Sequence, residues 1–70
     1  PIPAPAPRWQ VGTVLPLGGF RGTVTSVEWI GNGYTYVLAG WNLQYNLPVP
    51  EPIVMSEANL IAAYLRFNPQ

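Results

Sequence analysis

The side chains able to move protons or carry charge are few: Arg8, Arg21, Arg66, Glu28, Glu51 and Glu57, with no histidine, cysteine, lysine or aspartate. General acid–base catalysis needs a titratable group tuned by its neighbours, and carboxylates do this work best in pairs. None of these glutamates has a partner at useful spacing. Glu28 stands beside Trp29 in a β-forming stretch, Glu51 lies between Pro50 and Pro52, and Glu57 directly follows Ser56. A solvated strand face, a loop and the first turn of a helix account for the three. Ser26 and Ser56 have no histidine to take a proton, which removes the usual nucleophile arrangement. Without histidine or cysteine there is no obvious metal cage. Gly31-Asn32-Gly33 is not followed by Gly-Lys-Ser/Thr, so it reads as a turn and not a phosphate loop. The expectation is no catalytic residue, no metal and no cofactor.

Aromatic residues are plentiful where charge is scarce. Charged residues make up 9% of the chain, against roughly a quarter in an average soluble domain. Three arginines balance three glutamates, so there is no basic footprint for a polyanion. Trp9, Trp29, Trp41 and Tyr45 have the shape to stack bases, but that footprint is missing, and nucleic acid is only a third reading. Interface cores favour aromatics and arginine and avoid other charges, which matches this composition. The same four residues are therefore the expected anchors for a protein partner or for self-association. Trp41 and Tyr45, on the loop leaving the central hairpin, are the foremost of them. No apolar run approaches the roughly 20 residues that span a bilayer, and a cysteine-free chain fits the cytoplasm.

Seventy residues are enough for one domain, though a chain this short buries only about 60% of its unfolded surface. Residues 1–7, alternating proline with small or apolar residues, predict an extended arm. The expected division is an arm over 1–8 and a single domain over 9–70. The chain opens on Pro1 and not on methionine, which suggests a processed or trimmed end. Residues 11–15 read as a first strand and 17–20 as a loop. Residues 20–41 form the strongest signal, a long hairpin turning at Gly31-Asn32-Gly33. Val24 and Val27 cannot share a face under strict alternation, so a bulge near Thr25-Ser26 is predicted, placing Val24, Val27 and Trp29 together. Tyr36 and Leu38 share one face of the return strand. Residues 42–50 read as a loop and 53–55 as a short edge strand behind Pro48, Pro50 and Pro52. Ser56 is a good cap for a helix over 57–66, although Ile61, Ala63, Leu65 and Phe67 also alternate as a strand would.

Gly12-Thr13-Val14, Gly22-Thr23-Val24, Val27-Glu28-Trp29, Gly33-Tyr34-Thr35-Tyr36-Val37 and the Ser56 to Leu60 turn together resemble a Src-homology-3-like barrel. That resemblance covers 11–60 and implies a mainly β, small five-stranded barrel, here with a short C-terminal helix and the proline-rich N-terminal arm. A five-stranded oligonucleotide-type barrel is the structural competitor. Within the superfamily the chain is similar in length and element order to the plasmid-encoded type II dihydrofolate reductases. Those are tetramers binding NADPH and folate in a shared pore. Their signature Val-Gln-Ile-Tyr falls on Pro52-Ile53-Val54-Met55, which keeps neither the glutamine nor the tyrosine. The leading expectation is a non-catalytic protein-binding or assembly module, oligomeric or part of a larger complex. The pore-type reductase is the alternative.

Overall fold

In the computed structural model, which describes residues 3–69, the hairpin dominates. Its first arm is β2 (Phe20–Trp29) and its second β3 (Tyr34–Asn42), paired antiparallel along nearly their whole length. The register slips between Val24 and Ser26, the bulge that the two valines require. Val24 then faces Leu38 and Val27 faces Tyr36, so all four lie on one side of the sheet. The opposite side carries Thr23, Ser26 and Glu28 on β2, with Thr35, Val37, Ala39 and Trp41 beside them on β3.

The first strand, β1 (Val14–Leu17), pairs with the start of β2 and begins later than the expected 11–15. Gly12, at φ 94°, turns the chain in the left-handed region open to glycine and closed to a regular strand. Its N–H donates to the Val24 carbonyl at 2.8 Å, and the Val24 N–H donates to the Thr13 carbonyl at 2.9 Å, so this turn grips β2 at its bulge. The expected 17–20 loop shrinks to the Gly18-Gly19 turn, because Leu17 and Phe20 already pair. The 42–50 loop contains a two-residue strand, β4 (Leu47–Pro48), paired with the end of β3. Pro48 is tolerated there because an edge strand does not need every donor.

β5 (Ile53–Ser56) pairs with the other half of β3. Between β4 and β5 the chain arches over Gly40, whose carbonyl accepts from the Val49 N–H at 2.8 Å. A side chain at Gly40 would come within 2.9 Å of Val49 and 3.1 Å of Ile53, so the arch requires glycine. The five strands form one open antiparallel sheet, and among the described residues its outer strands β1 and β5 do not pair with each other. The helix α1 (Glu57–Phe67) packs against β1, β3 and β5 instead, covering the inner face.

Sequence explains where the helix starts and stops. Ser56 sits extended at the cap and its hydroxyl accepts from the Asn59 N–H at 3.2 Å, with Glu57 in the first turn and Arg66 in the last. Asn68 closes the other end, its N–H donating to the Tyr64 carbonyl at 2.9 Å, and Pro69 follows. The strand reading of 57–67 gives way to these caps.

The core is Leu15, Leu17, Val24, Tyr36, Leu38 and Leu60. Leu60 is the one buried residue of the helix, held against the sheet with no solvent contact. Leu60→Ala should therefore cost about 2–5 kcal/mol, the range for truncating a fully buried leucine. Urea denaturation followed by circular dichroism reads it, and a change below about 1 kcal/mol would mean that the helix is not docked as described.

Candidate functional site: the aromatic ladder and the apolar loop end

Phe67 lies against Gly18, and the other eight of the nine aromatic residues divide into two groups. The first is a ladder across the inner face. Trp29 meets Tyr34 edge-on with ring centres 5.1 Å apart, Tyr34 lies 6.5 Å from Tyr36, Tyr36 5.8 Å from Trp9, and Trp9 5.7 Å from Tyr64. These spacings suit edge-to-face and tilted aromatic pairs. Trp9 is half-buried in this ladder between sheet and helix, with the Arg8 guanidinium 5.5 Å from its ring centre. Trp29 ends the ladder at the hairpin turn and is 39% exposed.

Polar contacts gather around the ladder. The Tyr36 hydroxyl donates to the Glu57 carboxylate and accepts from the Arg8 N–H at 3.1 Å; the same N–H also reaches Glu57 at 3.1 Å. The Tyr34 hydroxyl donates to the Pro5 carbonyl at 2.7 Å, which ties residues 3–7, without helix or strand, to the hairpin. Burial first, and then the hydrogen bond to Glu57, push the Tyr36 hydroxyl above its ordinary value of 10.0, against the smaller pull of the Trp9 and Arg8 N–H groups. A tyrosine held neutral in this way does not offer itself as a base at neutral pH.

The three glutamates stay apart in role. Glu57 is engaged by Tyr36 and Arg8, Glu28 is exposed opposite Thr35, and Glu51 rims a shallow depression of 240 Å³ with Pro50 and Pro52. A larger open depression of 420 Å³ lies between the hairpin turn and the helix start, where Ile30, Tyr34, Glu57 and Ile61 meet. Among the described residues, no buried side-chain nitrogen or oxygen lacks a hydrogen-bond partner. No cluster of three or more His, Cys, Asp or Glu side chains that could hold a metal forms among them either. No helix among them is long and apolar enough to cross a membrane.

The second group is the loop end where β3 passes into β4. Asn42 organises it: its side-chain oxygen accepts from the N–H groups of Gln44 at 3.0 Å and Tyr45 at 3.1 Å. Asn46 takes φ 55°, and its side-chain oxygen accepts from the Trp41 indole N–H at 3.1 Å. The Leu43 N–H donates to the Gly19 carbonyl at 3.0 Å, fastening the loop to the β1–β2 turn. Trp41 is thereby half-buried and held, while Tyr45 projects with 67% of its surface exposed. Phe20 and Leu47, which flank Asn42 in the sheet register, and Leu43 are exposed at the same end of the sheet. Of the four expected anchors, Trp41 and Tyr45 meet here, while Trp9 and Trp29 belong to the ladder. Phe20, Leu43 and Leu47 escaped the sequence reading. Their signal was present as bulky apolar residues in a segment otherwise reading as loop. No family model matches this chain, and no curated protein or solved structure matches it.

Replacing Tyr36 by Phe tests the polar knot. The change leaves N–H and carboxylate partners underused and should cost about 1–3 kcal/mol at neutral pH. The raised Tyr36 value also sets a sign. Below pH 10.0 folded and unfolded states both keep the proton and the contribution is complete; above it the unfolded state loses its proton first, so stability falls as pH rises toward the folded value. Urea midpoints between about pH 8 and about pH 11 should fall less steeply for Tyr36→Phe than for the parent. Equal slopes would remove Tyr36 from the alkaline response.

Proposed function

We propose that this protein is a non-catalytic protein-binding and assembly module of the cytoplasm. It is built as an open relative of the small Src-homology-3-like barrel in which a helix takes the place of strand closure. The observation that carries the reading is the apolar loop end, where Phe20, Leu43, Tyr45 and Leu47 are each exposed on a backbone fixed by Asn42 and by the Trp41–Asn46 hydrogen bond. A pre-ordered loop loses little entropy on docking, and a tyrosine buries much area with few rotatable bonds.

Surface area supports the reading as well. The accessible surface is 4975 Å² for 7.7 kDa, whereas a compact monomer of that mass has about 4,300 Å². A surface that is larger than average, uncharged on balance and apolar at one end favours contact with another protein. The three glutamates have structural or solvent-facing places, which leaves no paired acid and base for chemistry.

Tyr45→Ala should weaken partner capture at least tenfold while moving the melting temperature by less than about 2 °C, because an exposed side chain contributes little to folding. Co-purification from cells followed by binding measurements on the identified partner reads this, and unchanged affinity would remove the loop end from the interface. Titration with dihydrofolate and NADPH addresses the alternative directly. The proposal expects no saturable binding of either, and saturable binding of both would replace it with the pore-type reductase.

A further inference from the structure

Sheet edges expose unpaired backbone donors and acceptors, and natural proteins blunt them with proline, charge, bulges or covering segments. This sheet blunts almost all of its edge. On the β1 side, Pro16 has no N–H, and its carbonyl already accepts from the Asn68 side chain at 2.7 Å. On the β3 side, β4 carries Pro48, and the arch to β5 carries Pro50 and Pro52. Past β1, the outer side of β2 over residues 26–29 also has no strand partner among the described residues, but it follows the bulge and carries Glu28. β5 (Ile53–Ser56) is plain: four residues with no proline, no charge and no register shift against β3. In an antiparallel strand every second residue turns its N–H and C=O away from its partner, so the outer side of β5 presents free pairing groups. Val54, at the middle of this edge, is 64% exposed on the sheet face opposite the helix.

We infer that β5 is a self-pairing edge, at which a second copy of this chain adds its own β5 antiparallel and extends the sheet across a two-fold axis. The inference rests on the assembly reading and names its partner and surface. A strand paired antiparallel with itself satisfies two-fold symmetry automatically, since each contact is returned by its mate. Ile53, Val54, Met55 and Ser56 carry no charge, so the paired segments themselves bring no like charges together, and the chain as a whole has formal net charge zero. Val54 pairs with Val37 on β3. A β5–β5 junction therefore joins two Val37–Val54 rows into one apolar band and buries the exposed valine on both sides. The loop ends carrying Tyr45 lie beyond the other half of β3, where β4 pairs, and stay free for other partners.

The test is the mass in solution of the parent chain, Val54→Lys and Val54→Glu at about 100 µM, by light scattering after size exclusion. The expectation is two chains for the parent and one chain, 7.7 kDa, for each variant alone. An equimolar mixture of the two variants should return to a two-chain species containing one of each, because opposite charges then face across the axis. Variants that keep the parent's mass, or a mixture that stays single, overturn the inference. Amide hydrogen exchange on the unaltered protein provides the check that needs no substitution. Exchange at Ile53–Ser56 should slow as concentration rises, and exchange there independent of concentration overturns the inference too. A parent chain that is single at this concentration sinks β5 pairing, while the Tyr45 measurement still decides the assembly reading.

Discussion

The Tyr36 hydroxyl is the point at which the arm, the sheet and the helix are fixed to one another. Tyr36 lies near the start of β3, between Val27 on β2 and Met55 on β5, with no solvent contact. A hydroxyl so placed must find partners within the protein or cost several kcal/mol, of order 2–7 by transfer scales. It finds Glu57 at the first turn of α1 and the Arg8 N–H at the end of the arm. Glu57 follows the Ser56 cap, so fixing its carboxylate also fixes where the helix begins and brings Leu60 beneath the sheet. Arg8 precedes Trp9, so fixing its backbone seats the indole between Tyr36 and Tyr64. One of the chain's three glutamates is thus committed to architecture.

This arrangement follows from size. Six side chains are buried among the described residues, and one sheet with one helix cannot enclose many more. The ladder from Trp29 to Tyr64 makes up the difference, because each aromatic ring covers a large area even when half-exposed. The molecule stays thin, with extents of 47 × 28 × 16 Å, and a thin molecule keeps apolar groups at its surface. The outer face of the sheet, the loop end at Tyr45 and the β5 edge are consequences of that geometry. In a fold of this kind, stability and association draw on the same apolar side chains.

Local rules were legible in the sequence, and long-range ones were not. The Val24/Val27 conflict located the bulge because strand alternation admits few exceptions. Ser56 and Glu57 located the helix start because capping depends on adjacent residues. The first strand begins three residues later than its sequence suggests because Gly12 suits a strand or a turn, and only its bond to Val24 decides. The strand at Leu47 and Pro48 was hidden because it exists through pairing with β3, and proline argues locally against it. Trp9 was legible as an anchor type, but its place was not: its backbone N–H approaches the Tyr36 hydroxyl across 27 positions of sequence. Barrel closure was a matter of whether β1 and β5 meet, and no local pattern carries that information.

The prolines of the second half explain how a small open sheet can keep most of its edge quiet. Pro48, Pro50 and Pro52 occur at every second position, from the end of β4 through the stretch that runs alongside β3 without regular pairing. Each removes a donor, so neither the outer side of β4 at Pro48 nor the arch at Pro50 and Pro52 offers a regular row of donors to another strand. Val49, between two of them, spends its N–H inward on the Gly40 carbonyl and its side chain over the same glycine. The alternation stops at Pro52, and from Ile53 the chain is free to pair on both sides. An edge protected by three successive prolines and then released for four residues restricts contact to one short segment. The arch that protects the sheet also limits how far any added strand can extend along it.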